Sequence, residues 1–206
     1  MQRQGGMAQQ LTMPAHKVIV CNALSVDELA LVEPLAVGLH AARRAQINVG
    51  EWVAVIGCGV IGLGAIAAAS AMGARVIAID IDDRKRNIAL ECGAQRFLNS
   101  QQCDVAAELV LLNDGRGPEV VIEAVGNQQT IEQATGLVAF SGRVVYRRLR
   151  QTASELSECA VPDERTGYPW FAQCHRGGFS CRAGIDGVRA LSGQQSGECS
   201  LPAGTG

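Results

Sequence analysis

Short apolar runs alternate with stretches of helical apolar spacing through the middle of the chain. The predicted strands lie at 52–57, 75–80, 97–99, 119–123 and 143–146. The predicted helices lie between them at 59–73, 83–92, 103–113 and 128–139. Strands and helices that alternate at this spacing indicate an α/β fold, a doubly wound parallel sheet, because parallel neighbours need a crossover connection.

The first 45 residues have a different pattern. A partly alternating run within residues 5–20 predicts one or two strands that belong to a β-rich neighbour of the main sheet. Ser25 and Glu28 have the spacing of a capping box, which predicts the start of a helix. Pro34 is expected to break or restart this helix before it continues over 35–45.

The pattern changes again after Tyr146. Residues 148–206 are rich in glycine and have no sustained period of either kind. Such a segment buries too little apolar surface to offset its ordering entropy, so an irregular or disordered tail is expected. The predicted organisation is therefore a β-type segment with a linking helix at 1–45, a sheet domain at 46–147 and a tail at 148–206.

A glycine-rich turn joins the first strand of the sheet to its helix. Gly57 supplies a permissive backbone for the turn, Gly59 carries no side chain that would keep an anion away, and Gly62 lets the helix pack closely on the sheet. Asp80 ends the next strand. This pattern predicts a site for a dinucleotide whose pyrophosphate lies at the helix N-terminus. The alternative is a tight turn in an unrelated α/β protein.

Asp80 also bears on the choice of cofactor. A carboxylate at this position accepts hydrogen bonds from the ribose hydroxyls and repels a 2′-phosphate, so NAD is predicted over NADP. The alternative is an acid that merely lies in solvent at a strand end. Ala124, Val125 and Gly126 follow the fourth strand at the carboxyl edge of the sheet, where ligands of such sheets bind, although an ordinary turn would look the same.

Composition narrows the class of protein further. The net charge is −2 and no basic patch stands out, which argues against a nucleic-acid partner. The sequence lacks a signal peptide and a long apolar run, so a soluble cytoplasmic protein without a membrane partner is expected. Eight cysteines are scattered without a CxxC pair, which favours reduced thiols over disulfides or a metal site.

Three segments of the chain resemble a known family. GGMAQQLTMPAHKV, EPLAVGLHAARRA and GEWVAVIGCGVIGLGAIAAASAMGARVIAIDIDDRK are similar to zinc-dependent medium-chain alcohol dehydrogenases, in particular the sorbitol, threonine and sugar-acid branch. The resemblance covers about residues 5–146. It implies a Rossmann domain that binds NAD(P), a GroES-like β domain that carries catalytic zinc, and a homo-oligomer. The implied reaction is hydride transfer between a secondary alcohol carbon and the nicotinamide.

The resemblance also assigns residues. It implies that Val60, Ile61 and Lys85 lie beside the cofactor, although Ile61 could equally be packing core and Lys85 a solvated charge. Val125 is expected to contact the cofactor as well. Glu33 falls at or beside the family's zinc site, but a catalytic zinc needs about three protein ligands, so Glu33 alone cannot hold a metal and no metal site is predicted.

Both ends of the chain depart from the family pattern. Residues 1–45 are expected to be the remnant of a truncated GroES-like domain without its zinc ligands. The residues after about 147 are expected to be translated out of frame, because a suitable choice of codons for 148–156, shifted by one nucleotide, reads GYGKQPVS, a family-like glycine turn. Sequencing the DNA tests this expectation.

Two hypotheses about function remain open at the level of sequence. In the first, the chain is an NAD-dependent, zinc-assisted oxidoreductase for a polyol, a sugar acid or a related secondary alcohol. In the second, it is a catalytically inactive fragment that at most binds a dinucleotide or pairs with another chain. The second is favoured for the isolated polypeptide, because the catalytic zinc ligands of the family have no counterpart in its sequence.

Overall fold

A computed structural model describes residues 6–146 of the chain. The strands in this part are β1 (Trp52–Ile56), β2 (Arg75–Asp80), β3 (Ala94–Asn99), β4 (Val120–Glu123) and β5 (Arg143–Tyr146). The helices are α1 (Val26–Arg44), α2 (Val60–Ala71), α3 (Arg86–Glu91), α4 (Val105–Leu112) and α5 (Gln128–Leu137). Short 3₁₀ turns cover Ala15–Lys17 and Asp83–Lys85.

The five strands form one parallel sheet in the order β3-β2-β1-β4-β5. β1 lies at the centre, where Ile56 is in register with Ile79 of β2 on one side and with Glu123 of β4 on the other. The chain therefore moves outward from β1 to β3 and then returns to the opposite edge of β1. Such a reversal opens a crevice at the carboxyl ends of β1 and β4, which is where ligands of open α/β sheets bind.

Apolar side chains cover both faces of the sheet. One face packs against α2 and α1 through residues that include Val53, Val55 and Ile122. The other face packs against α4 and α5 through Ala54 and Val121 among others. Strands that are buried on both faces need continuous apolar runs, which is why β1, β2 and β4 lack polar alternation. The prediction of a doubly wound parallel α/β sheet is confirmed.

Helix α2 is sandwiched between the sheet and α1, and small residues make this possible. A Cβ added to Gly38 of α1 would lie 2.5 Å from the backbone nitrogen of Ala65 in α2. A Cβ added to Gly64 of α2 would lie 3.0 Å from a methyl carbon of Leu35. The two helix backbones therefore approach closely, and α1 packs directly on the helix that follows the glycine turn.

The prediction that Pro34 breaks the first helix is wrong. Helix α1 is continuous from Val26 to Arg44 with Pro34 in its interior. Its start was predicted correctly, because Ser25 and Glu28 form a capping box in which each side chain bonds the other residue's backbone N–H. A proline in a helix interior costs about 3 kcal/mol. The packing of α1 on α2 offsets this cost, since tertiary contacts supply most helix stability.

The prediction of strands within residues 5–20 is also wrong for the part that the structure describes. No strand precedes Trp52 in residues 6–146, and Val18, Ile19 and Val20 are exposed. A strand needs a paired neighbour to bond its backbone, and residues 6–20 have none among the described strands. The third strand is longer than predicted, because two exposed polar residues, Gln95 and Arg96, extend its edge.

The predicted tail and its proposed change of reading frame lie outside the described residues. The predicted boundaries of the first segment stay a prediction. Among residues 6–146, no helix combines the length and the apolar character needed to cross a membrane.

Candidate functional site

The glycine turn between β1 and α2 is set by close backbone contacts. Gly57 has a φ of +96°, a left-handed conformation that favours glycine, and an added Cβ would lie 2.6 Å from a methyl carbon of Val125. A Cβ added to Gly62 would overlap the carbonyl oxygen of Gly57 and lie 2.9 Å from its carbonyl carbon. Gly57 is therefore required by its left-handed backbone and by the neighbouring residue Val125, and Gly62 by packing within the glycine turn itself.

Gly59 differs from both, because an added Cβ would meet nothing within 4 Å. It is exposed and forms the N-cap of α2 without a side-chain cap. The first N–H groups of a helix have no intrahelical acceptor, and the positive end of the helix dipole lies there. Val60 is exposed and Ile61 is half-buried in this first turn. The open space at Gly59 thus faces backbone donors that suit an anion.

Asp80 ties the glycine turn to the end of β2. Its side chain is almost fully buried, and its Oδ2 accepts a hydrogen bond from the backbone N–H of Cys58 at 2.7 Å. Its Oδ1 accepts from the backbone N–H groups of Ile81 at 2.8 Å and Asp82 at 3.0 Å. Lys85 Nζ donates to both oxygens at 3.2 and 3.0 Å. The carboxylate therefore connects the glycine turn, the backbone that follows β2 and the side chain of Lys85.

These donors hold Asp80 in its charged form. Burial alone would raise the pKa of the carboxyl, but hydrogen bonds from Cys58 N–H, Lys85 and Asp82 N–H outweigh it, and the pKa of Asp80 lies below its ordinary value. Lys85 is 38% exposed, so its ammonium group borders solvent while it pairs with the buried carboxylate. The structure thus brings together two residues that the sequence placed at the adenosine end of the site.

Val125 lies in the turn that follows β4, against Gly57 of the glycine turn. Glu123 ends β4 and is fully buried. Its Oε1 accepts hydrogen bonds from Val125 N–H at 2.9 Å, Gly126 N–H at 2.8 Å and the Thr130 hydroxyl at 2.8 Å. Glu123 was not predicted from the sequence as a site residue. The available signal was an acid that ends a buried apolar run, as Asp80 does at the end of β2.

Ile81 was not predicted from the sequence as a site residue either. It follows Asp80 directly and is 61% exposed. An apolar side chain is therefore exposed at the carboxyl edge of the sheet, next to the buried acid, and apolar side chains commonly line ligand sites. Its signal in the sequence was the apolar residue that follows the acid at the carboxyl edge.

Comparison with known proteins gives a consistent result. A family model described as zinc-binding dehydrogenase matches residues 60–157. Sorbitol dehydrogenase of Bacillus subtilis is 33% identical over 142 residues, which are 68% of this chain and 40% of that protein. Erythritol/L-threitol dehydrogenase of Mycolicibacterium smegmatis is 38% identical over 144 residues, again 68% of this chain and 40% of the relative.

A solved structure agrees with these relatives. The 2R,3R-butanediol dehydrogenase of Bacillus subtilis superposes with a TM-score of 0.66 at 26% identity, covering 84% of this chain and 48% of that one. The chain belongs to the zinc-dependent medium-chain alcohol dehydrogenase family. It spans roughly two fifths of the length of the first curated relatives it matches.

The family uses zinc and a nicotinamide cofactor, and the two groups fit this part of the chain differently. The open space at Gly59, beside free first-turn amides, suits the pyrophosphate of a dinucleotide. The described residues do not assemble a comparable site for zinc. Glu33 is exposed on α1, and residues 6–146 contain no group of three or more His, Cys, Asp or Glu side chains that could hold a metal ion.

Cys58, inside the glycine turn, is expected to resist alkylation in the folded chain. Burial above all, together with the charge of Asp80, raises the pKa of Cys58 to about 12, and burial raises the pKa of Cys92 to about 11. Because the thiolate is the reactive form, both thiols should stay unmodified by iodoacetamide at pH 8. Half-buried Cys21 serves as the internal reference.

Peptide mass spectrometry after a timed reaction measures the modified fraction at each position. Unfolding in urea should remove the protection of Cys58 and Cys92. If Cys58 in the folded chain is modified as fast as Cys21, the conclusion that Cys58 is a buried, protonated thiol is contradicted.

Proposed function

We propose that the described residues form the dinucleotide-binding unit of an NAD-dependent oxidoreductase that acts on a polyol, a sugar acid or a related secondary alcohol. One observation carries the proposal. The N-terminus of α2 opens at Gly59 onto free space, while buried Asp80 stands at the end of the neighbouring strand. A pyrophosphate and the ribose next to it require these two features side by side.

The pyrophosphate would accept hydrogen bonds from the first-turn N–H groups of α2, including those of Val60 and Ile61. These amides need no reorganisation, because the contacts of Gly57 and Gly62 already fix the turn. The positive end of the helix dipole adds an attraction of about 0.3–1 kcal/mol for a negative charge. Gly59 contributes by the absence of a side chain.

The adenosine ribose would take the place of the Lys85 ammonium group on Asp80. Five donor contacts already reach this carboxylate, whose two oxygens offer about four lone-pair sites, so a hydroxyl needs Lys85 to move. Lys85 is partly exposed and flexible enough to swing outward. Ile81, exposed next to Asp80, would lie against the adenine ring.

Preference for NAD rests on charge. A 2′-phosphate would meet the buried carboxylate of Asp80, and a cation would be needed to compensate. Arg84 is already paired with Asp82, through contacts of 3.0, 3.1 and 2.8 Å. Its charge is therefore engaged by a neighbour. The other nearby cation, Lys85, is the partner of Asp80 itself, so Asp80 and a 2′-phosphate would have to share one positive charge, which disfavours the phosphate.

The substrate class comes from the relatives. Sorbitol dehydrogenase, erythritol/L-threitol dehydrogenase and a further relative, L-galactonate-5-dehydrogenase of Escherichia coli, are named for polyhydroxylated compounds that contain secondary alcohol carbons. The nicotinamide, when bound, accepts a hydride from such a carbon. The part played by the described residues is to bind and orient the dinucleotide across the carboxyl edge of the sheet.

A second candidate function is dinucleotide binding without turnover. It is favoured by the donor set of residues 6–146, which does not assemble a zinc site. The two candidates share the dinucleotide site and differ in whether this polypeptide oxidises a substrate.

Calorimetric titration of the full chain with NAD⁺ and NADP⁺ tests the shared proposal. NAD⁺ is expected to bind at least about tenfold more tightly, equivalent to about 1.4 kcal/mol. Equal binding of both, or tighter binding of NADP⁺, would contradict the role given to Asp80, and no binding would contradict the proposal as a whole. Formation of NADH from a panel of polyols with added zinc separates the two candidates, since only the first predicts turnover.

A further inference from the structure

Glu123 concentrates its hydrogen bonds on one oxygen. Oε1 accepts from two consecutive backbone N–H groups, those of Val125 and Gly126, and from the hydroxyl of Thr130. Oε2 is buried and has no hydrogen-bond partner within residues 6–146. Burial of an acid costs free energy, and an unpaired buried oxygen adds to that cost. The carboxyl group is thus placed to hold the turn after β4 rather than to fill the core.

The turn held by Glu123 is one wall of the dinucleotide crevice. A Cβ on Gly57 would lie 2.6 Å from the Val125 side chain and 3.4 Å from the backbone of Ala124 and Val125, so the two turns are in direct contact. Glu123 is in register with Ile56, the last residue of β1 before the glycine turn. A shift of the turn after β4 would therefore change its fit against Gly57.

The sheet order decides which half of the dinucleotide would be affected. Asp80 ends β2 on one side of β1, and Val125 follows β4 on the other side. A dinucleotide with its adenosine at Asp80 and its pyrophosphate at the glycine turn must extend its second half over the end of β4. Val125, which is 46% exposed, is the more exposed of the two apolar side chains in this turn, the other being half-buried Ala124.

We propose that Glu123 is a positioning residue that sets the turn 124–126 for the nicotinamide half of the dinucleotide, through the acceptor geometry of Oε1. The inference rests on the proposed function, because it assumes that a dinucleotide occupies the crevice. Glu123 touches no substrate in this scheme. It acts through Val125 and Gly126, and its own charge is not required.

Binding of NAD⁺ and of ADP to the full chain tests this inference, since ADP carries only the adenosine and pyrophosphate. Glu123→Leu removes both oxygens at similar size and is expected to weaken NAD⁺ binding by about tenfold or more while changing ADP binding less than about threefold. Glu123→Gln keeps one acceptor oxygen and is expected to retain NAD⁺ affinity within about threefold. Circular dichroism and urea denaturation establish that each variant is folded.

Thr130→Val keeps the inference testable if Glu123→Leu does not fold. It removes one hydroxyl donor from Oε1 at almost constant shape, and a smaller loss in the same direction is expected, with ADP binding unchanged. Equal loss of NAD⁺ and ADP binding in a folded variant would overturn the inference, as would no loss of either. Glu123→Gln as damaging as Glu123→Leu would overturn it too. A wild-type chain that binds neither ligand overturns the proposed function and the inference together.

Discussion

Gly62→Ala is expected to destabilise the chain by about 3 kcal/mol and to abolish dinucleotide binding. The added methyl group would overlap the carbonyl oxygen of Gly57, which belongs to the backbone and cannot rotate away. Either α2 or the glycine turn must move, and both are anchored in the core of the sheet. Overpacking costs about 1–3 kcal/mol, occasionally more, and a methyl group that overlaps a backbone carbonyl belongs at the upper end.

Two other glycines provide matched controls for this prediction. Gly59→Ala adds the same methyl group where nothing lies within 4 Å, so the fold should be kept while NAD⁺ binding falls, since the methyl group occupies the anion's approach. Gly136→Ala, on the exposed side of α5, also meets nothing and should stabilise the chain by about 0.5–1 kcal/mol. Urea denaturation and calorimetric titration measure both quantities.

The contrast between these three variants is the decisive result. A folded, NAD⁺-binding Gly62→Ala chain would show that the turn can rearrange at little cost. A Gly59→Ala chain that binds NAD⁺ as tightly as the wild type would show that no anion approaches α2 at that point. The Gly136→Ala control shows whether a methyl group added to any helix that packs on the sheet changes stability or NAD⁺ binding.

Asp80→Asn is expected to destabilise the chain by about 2 kcal/mol at neutral pH and to weaken NAD⁺ binding by about tenfold. The amide loses the charge and replaces an acceptor oxygen with a donor, so at least one of the N–H groups of Cys58, Ile81 and Asp82 loses its partner. Hydrogen bonds to a charged group are worth about 1.5–3 kcal/mol each, and Lys85 also loses its ion pair.

The stability that Asp80 supplies depends on pH in a defined direction. Its pKa in the folded chain lies below the ordinary value of about 3.9 for an unfolded aspartate. Above about pH 5 the carboxylate is charged in both states and its full contribution is present. As the pH falls further the unfolded chain binds the proton first, and the contribution is lost as the pH falls through the folded pKa.

Urea denaturation between pH 2.5 and 7 measures this dependence. The free energy of unfolding of the wild type should fall more steeply below about pH 4 than that of Asp80→Asn. Asp82→Asn is the control, because Asp82 pairs with Arg84 at the surface and its loss should change stability little. If the free energy of unfolding falls equally steeply with decreasing pH in the wild type and in Asp80→Asn, the charged, hydrogen-bonded state of Asp80 is contradicted.

Features that depend on neighbours in the sequence were predicted well. The buried strands are continuous apolar runs, and a run of this kind between helical segments is typical of a parallel sheet. The local geometry at Gly57, Gly62 and Asp80 was predicted because each type of residue is needed for a local reason: a left-handed backbone, a close approach and a strand-end acceptor. Their meeting at one edge follows from the common direction of the strands.

Features that depend on partners far along the chain were not predicted. Pro34 was predicted to break the helix because the sequence of α1 alone does not show that α1 packs against α2. The segment before residue 21 looked like strands because its apolar residues alternate, but alternation does not provide a paired neighbour. Glu123 is a different case, because its partners Val125, Gly126 and Thr130 lie close by in the sequence but can be recognised only once the turn after β4 has formed.

The order of the strands has a consequence for how the chain folds. Strands β1, β2 and β3 are neighbours both in sequence and in the sheet, whereas β4 must return to pair with β1, so Val53 faces Val120 across a loop that contains two other strands. Closing such a long loop is slow, because its entropy is lost before the pairing compensates for it. Gly57 follows β1 and Val125 follows β4, so the crevice between them forms only when these two strands pair. Acquisition of NAD⁺ binding during refolding would therefore lag behind the formation of helix and report on completion of the sheet.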